Sequence, residues 1–238
     1  MEVLGLLYEG KAKKVFETDD KEVYLVEYKD DATAFNGEKK GKINHKGVIN
    51  NKISSFLFQK LTKEGIDNHF ISQLSDNQML VKAVKIIPLE VVVRNVVAGS
   101  LVKRLGKEEG TVLKTPIIEF CYKNDALGDP MVNHYHIKAL GIANEDEIDF
   151  IEKEVLRIND VVKKIFLDCQ LDLIDLKVEF GRNSESKIIL ADEISPDTCR
   201  LWDHATNEKM DKDRFRRDLG KVEEAYQTVL ARLEKVLQ

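Results

Sequence analysis

The sequence predicts an α+β protein of two lobes with a cleft between them. Three observations carry this. Up to about Pro88 the chain reads as short strands interrupted by one helix, and beyond it strands mix with two long amphipathic helices. Residues 173–194 then form an alternating hairpin that one of those helices feeds directly. The division that follows is a β-rich lobe over residues 1–87 and a larger α+β lobe over residues 88–238.

Residues 3–28 read as two or three short strands with Gly10 at the first turn, followed by Lys11, Ala12, Lys13 and Lys14. A glycine-and-lysine turn can cover phosphates with backbone N–H groups and ammonium charge, or serve as a basic turn with no ligand. It is no Walker A loop, because the second glycine and the following helix are missing. Asp30 to Lys46 is polar and reads as a long loop. A helix over 48–64 buries Ile49, Ile53, Phe56, Leu57 and Leu61, and Gly65 stops it.

Met79–Ile87 is a strand expected to stop at Pro88, and Leu89–Val97 is the next. Arg94 interrupts that second apolar run. A buried guanidinium needs an anion, either a structural carboxylate or a ligand phosphate, and both readings stay open here. Ser100 opens a short helix closed by Gly106, a plausible anion site beside Arg94. His134 and His136 would share a face if extended, but no third ligand has suitable spacing for a metal. Asn144 and Glu147 form a capping box that starts a helix running to about Cys169. A last helix is expected over 212–237, with Phe215, Leu219, Val222, Tyr226, Leu230 and Leu233 inward.

In the hairpin, Ile174, Leu176, Val178 and Phe180 alternate with Asp175, Lys177 and Glu179. The return strand is expected to set Ile189 and Ala191 against the apolar side and Asp192 beside Glu179. Two carboxylates with a lysine between them suit a Mg²⁺-nucleotide site, although an alternating charged face is also what a solvated hairpin shows. The run 192–200, DEISPDTCR, is too costly in charge to be a mere connection.

Composition narrows the function classes. The chain has 238 residues, 43% hydrophobic and 33% charged, with net charge −5 and no long basic run, which disfavours nucleic-acid binding. Cys121, Cys169 and Cys199 are odd in number and far apart, as expected for reduced thiols rather than a disulfide frame or zinc site. Neither a secretory leader nor an apolar run of the ~20 residues a membrane span needs is evident, so a cytoplasmic protein is expected.

Six stretches together carry a resemblance: LYEGKAKKVF, KG-x-x-NNKIS, VVRNVVAGSLVKRLG, KNDALGDPMVN, DLKVEFG and DEISPDTCRLWD. They resemble the phosphoribosylaminoimidazole-succinocarboxamide synthases (SAICAR synthetases) nearly end to end. The turn at 182–186 looks variable, and Asn36-Gly37 stands where some members carry an acidic residue, which leaves the role of that loop open. The resemblance implies an antiparallel β lobe over an α+β lobe with ATP between them, distantly like protein kinases. It implies an ATP- and Mg²⁺-dependent ligase joining the carboxylated aminoimidazole ribonucleotide (CAIR) to L-aspartate through an acyl phosphate.

Residue roles follow from the resemblance. Lys11 and Lys13 lie over the ATP phosphates, and Leu25, Val81, Lys82 and Ala83 frame adenine. Glu179 and Asp192 hold Mg²⁺, and Lys177 meets the transferred phosphoryl group or the substrate carboxylate. Arg94, Ser100 and Arg200 take the ribonucleotide phosphate. Asp175 and Asp197, grouped with Lys177 as catalytic, and Asp129 are candidates for contacts to the imidazole amine, ribose or aspartate. The implied partners are small molecules, with neither nucleic acid nor membrane, and a homodimer is a compatible assembly. The alternatives are a small-molecule kinase, which would need no amino-acid substrate, and a nucleotide-binding protein without turnover.

Overall fold

The structure is a computed structural model that describes residues 2–34 and 37–236. The N-terminal lobe is a five-stranded antiparallel sheet in the order β1 (Val3–Glu9), β2 (Lys13–Thr18), β3 (Val23–Tyr28), β7 (Gln78–Lys82), β6 (Phe70–Gln73). Where a long loop is expected, Asp31–Ala34 and Lys39–Lys42 pair as β4 and β5. Alternation there is between small or polar residues and lysines, so no apolar period announces the hairpin.

The second lobe is built on an antiparallel sheet ordered β10 (Met131–Val132), β9 (Val112–Tyr122), β8 (Lys85–Val96), β11 (Leu171–Arg182), β12 (Ile188–Ala191), with β13 (Cys199–Asp203) also paired to β11. The helices are α1 (Lys46–Lys63), α2 (Ser100–Leu105), α3 (His134–Ala139), α4 (Glu145–Asp168), α5 (Asp213–Arg216) and α6 (Val222–Val236). α1 precedes most of this lobe in sequence, yet Ile53, Leu57 and Leu61 are buried in one core with Val178 and Phe180 of β11, Val162 of α4 and Val229 of α6. None of the helices is long and apolar enough to cross a membrane, among the described residues.

Three other expectations are corrected. Pro88 does not end a strand but lies inside β8. It stands before the β9 ladder begins at Leu89 and opposite the irregularity between Glu179 and Gly181 of β11, so its missing N–H breaks no ladder bond. The last helix is split: Asp218, Gly220 and Lys221 all have positive φ, and Leu219 is exposed between α5 and α6. His134 and His136 are not extended; Asn133 caps α3 in a capping box with His136, and His134 meets Glu152.

Candidate active site

β11 and β12 set the charged wall of the site, with a register opposite to that expected. Glu179 is the direct partner of Ala191, and Gly181 of Ile189, so Ala191 and Ile189 share the face of Glu179. Leu190 and Ile188 go under the sheet with Phe180. A regular strand would therefore send Asp192 into the core. Its φ of 61° ends the strand and turns the chain, and its carboxylate lines the same cavity as Glu179. An irregularity between Leu173 and Asp175 likewise moves Ile174 off the main core and against Ala98 and Trp202.

The cavity between the two sheets holds about 600 Å³. On its hairpin wall, Lys177 Nζ lies 2.6 Å from Glu90 Oε1 and 3.6 Å from Glu179 Oε1. Lys123 Nζ lies 2.7 Å from Glu179 Oε1, and Lys13 pairs with Asp192 and lies 3.1 Å from Glu193 Oε1. Burial and the neighbouring Asp192 charge push Glu179 above the ordinary carboxylate range. Asp192 goes the other way: burial opposes its charge, but Lys13, Lys177 and Lys123 outweigh it. Lys177 is buried too, yet Glu179, Glu90 and Asp192 hold its ammonium protonated. The wall thus carries two hard oxygen donors and fixed cations around them.

At the second pole Arg94 has carboxylate partners. It donates from Nε to Glu119 at 2.8 Å and from Nη1 to Asp175 at 3.0 Å, and Nη2 lies 3.4 Å from Ser100 Oγ. Arg200 donates to Asp175 at 2.7 Å and to Asp213 at 2.9 Å. Gly99 has φ 55°, which favours glycine, and a Cβ there would sit 2.6 Å from Arg200 Nη2, so any side chain would push the guanidinium from its place. Structural carboxylates therefore satisfy part of each arginine while both line the cavity.

A third corner is centred on Asp197. Lys46, fully buried, donates to its Oδ2 at 2.9 Å, Lys212 reaches the same oxygen at 3.4 Å, and Tyr226 donates to Oδ1 at 2.5 Å. Burial opposes the charge of Asp197, but Lys212 and Lys46 outweigh it and keep it ionised.

Twelve of the residues given site roles from the sequence line this cavity: Lys11, Lys13, Val81, Lys82, Arg94, Asp129, Asp175, Lys177, Glu179, Asp192, Asp197 and Arg200. Lys11 also spans its mouth to Asp125 at 2.6 Å, and Asp129 accepts from the Asn124 N–H at 2.8 Å. Leu25 does not line it, because alternation along β3 turns Tyr24 and Val26 inward instead. Ala83 is also off the lining, its N–H donating to Glu22 at 2.7 Å, and Ser100 stands exposed at the arginine edge. Asn36 lies outside the described residues.

Glu90, Lys123, Glu193, Lys46 and Lys212 belong to the site and were not singled out. Lys46 and Lys212 carry no local signal, since a lysine at a helix start normally snorkels to solvent. Glu90 was legible, as the one acid in the run 89–93, on the strand that pairs directly with that of Lys177. Among the described residues no cluster of three His, Cys, Asp or Glu side chains is arranged to hold a metal unaided.

The profile of the SAICAR synthetase family matches residues 6–233 of the chain. The chain belongs to the SAICAR synthetase family. A phosphoribosylaminoimidazole-succinocarboxamide synthase of Caldanaerobacter subterraneus is 59% identical to it, covering 99% of this chain and 100% of the relative. The solved synthase of Ehrlichia chaffeensis superposes with a TM-score of 0.94 at 47% identity, over 96% of this chain and 98% of that one. A SAICAR synthetase solved in complex with ADP superposes at 0.92 with 49% identity, over 95% and 96% of the two chains. Like these SAICAR synthetases, the chain has the two-lobed α+β fold, and it is an enzyme, a ligase of purine biosynthesis. The family assignment favours neither a kinase nor a binder without turnover.

Proposed function

We propose that the cavity joins CAIR to L-aspartate at the expense of ATP, releasing SAICAR, ADP and phosphate. What carries this reading is the convergence of three cationic corners and one buried carboxylate pair on a single cavity. The solved relative with ADP supports the nucleotide, which the N-terminal lobe would receive. Lys11 and Lys13 meet its phosphates, and Val81 and Lys82, with Tyr24 and Val26 in place of Leu25, frame its base. The second lobe receives CAIR and the metal. Arg94, Arg200 and Ser100 meet the CAIR phosphate, with Asp175 between the two arginines and Asp129 at the ribose side.

The carboxylate of CAIR is a poor electrophile. One of its oxygens attacks the terminal phosphorus of ATP and ADP leaves, giving an acyl phosphate. The amine of L-aspartate then attacks the acyl carbon, loses a proton, and phosphate leaves with the former carboxylate oxygen. Such phosphoryl transfer rests on positioning and charge neutralisation. Lys177, held protonated, lies where the transferred group and the carboxylate must meet. Glu179 and Asp192 fit Mg²⁺, a hard cation usually held by one or two carboxylates plus phosphate oxygens; burial and then repulsion from Asp192 raise Glu179, and a bound cation offsets both. When bound, the ion supplies charge neutralisation to the triphosphate. Asp197 cannot act as a base, because its oxygens are engaged and its ionised form is strongly favoured.

Three unpaired thiols are compatible with a cytoplasmic enzyme, and a homodimer with the same site. The test is ADP release from Mg-ATP, CAIR and L-aspartate. The reading requires equal yields of ADP and SAICAR, and ADP release that runs as fast without aspartate would defeat it.

A further inference from the structure

The segment between β9 and β10 is tied to the cavity by two ion pairs, and each occupies a group that the nucleotide or its metal would use. Lys123 Nζ lies 2.7 Å from Glu179 Oε1 and 2.5 Å from Oε2, so it engages both oxygens of that carboxylate. Burial opposes the Lys123 charge, but Glu179 and Asp192 outweigh it and keep the ammonium protonated. Two residues on, Asp125 holds the Lys11 ammonium of the N-terminal lobe at 2.6 Å, across the mouth of the cavity.

The segment is bonded mainly to itself. The Asn124 N–H donates to Asp129 Oδ1 at 2.8 Å, and the Leu127 and Asp129 N–H groups donate to the Asn124 carbonyl at 2.9 and 3.2 Å. Asp125, Ala126, Leu127 and Gly128 are exposed. Among the described residues, the pair of Asp125 with Lys11 is the one hydrogen bond from 124–129 to another part of the chain. A self-bonded, exposed unit of this kind can swing about its ends as one body.

Neither tie is compatible with a loaded site. Mg²⁺ takes carboxylate oxygens at about 2.0–2.1 Å, and an ammonium already on both oxygens of Glu179 stands against it. A phosphate on Lys11 would meet the Asp125 carboxylate at the same ammonium, like charge beside like charge.

We infer that Lys123 and Asp125 are stand-in counter-ions, holding Glu179 and Lys11 in the free enzyme until Mg²⁺ and the nucleotide phosphates displace them and release residues 123–129 from the mouth of the cavity. This rests on the ligase reading and adds to it a latch that opens when the metal nucleotide binds. Both side chains have solvent to turn into, Lys123 being 38% and Asp125 69% exposed. They are positioning residues, acting through Glu179 and Lys11 and not on a substrate.

The test uses Mg·ADP as the probe, with calorimetric affinities and hydrogen exchange of the Leu127, Gly128 and Asp129 amides. In wild type, Mg·ADP should speed that exchange about two- to fivefold, and ADP with the metal chelated should speed it less, since only the Lys11 tie is then broken. Asp125→Ala should exchange fast before nucleotide is added and bind Mg·ADP about two- to fivefold tighter. Asp125→Glu, which can rebuild the pair, should return both values towards wild type. Lys123→Met should reach half-maximal ADP binding at lower Mg²⁺, whereas loss of a ligand-binding lysine would demand more. Thermal melting confirms folding, Glu179 keeping Lys177 in Lys123→Met. If wild type binds no ADP, the ligase reading fails. If it binds ADP but the segment exchanges more slowly, or both Asp125→Ala and Lys123→Met bind ADP more weakly, the latch alone is overturned.

Discussion

The ammonium of Lys13 in β2 is paired with the carboxylate of Asp192 just past the end of β12, so one ion pair ties the two lobes together at the wall of the cavity. Both partners are largely buried, with side chains 14% and 18% exposed. Removing one charge from such a pair leaves the other uncompensated. Lys13→Met should lower stability by about 1–3 kcal/mol, below the full cost of a buried unpaired charge, because Lys177 and Lys123 also face Asp192. Adding Asp192→Asn should restore the melting temperature but not the KM for ATP. Full kinetic recovery in the double variant would remove Lys13 from the nucleotide site.

Glu179→Gln and Asp192→Asn should fold normally. Lys177 keeps Glu90, Lys13 keeps Glu193, Lys123 reaches solvent, and asparagine tolerates the positive φ at position 192. Turnover should fall by about two to three orders of magnitude, with partial recovery at raised Mg²⁺. Lys177→Met should lose turnover with no such recovery, since metal cannot replace the ammonium. Identical Mg²⁺ responses in all three variants would show that the wall is structural.

The arginine pole separates into two outcomes. Arg94→Ala takes one partner from each of two buried carboxylates but leaves Glu119 with Arg104 and Asp175 with Arg200, so its melting temperature should drop by less than a fully broken buried pair, at about 3–5 kcal/mol, would cause. Arg200→Ala leaves Asp175 with Arg94 and Asp213 with Arg216, so it should stay folded and lose CAIR affinity with ATP affinity unchanged. Weaker ATP binding in Arg200→Ala would contradict its placing.

Asp211 is fully buried, accepts from the Leu201 and Asp213 N–H groups, and is pushed up to about 7 by burial and by Asp213. A carboxyl raised in the fold takes up a proton that the unfolded chain releases. Its contribution is therefore fully present below the unfolded value near 3.8 and lost as pH rises through about 7. Asp211→Asn removes that titration. The stability of the variant relative to wild type should climb between pH 5 and 7 by about 1 kcal/mol per pH unit, and level off above that. A flat difference across denaturant titrations in that range would show that Asp211 does not titrate there.

Much of this was legible in the sequence because apolar period and capping chemistry are local. Asn144 and Glu147 announced α4, and the 173–180 alternation announced β11. The β12 register was not legible, since one residue of positive φ at Asp192 reverses which face its carboxylate joins. The split of the last helix turned on three left-handed residues, only one of them glycine. In the site, residues inside distinctive runs were found, such as Lys13, Arg94 and Glu179. Lys46, Lys123 and Lys212 gain their meaning only from carboxylates far away in sequence, on Asp197 and Glu179.

The central claim is that an oxygen of the CAIR carboxylate takes the phosphoryl group of ATP and leaves with it as phosphate. Carrying a heavy-oxygen label in that carboxylate through one turnover, and weighing the phosphate by mass spectrometry, tests it most directly. The account predicts one labelled oxygen in each phosphate released. Unlabelled phosphate, formed alongside SAICAR in full yield, would contradict it.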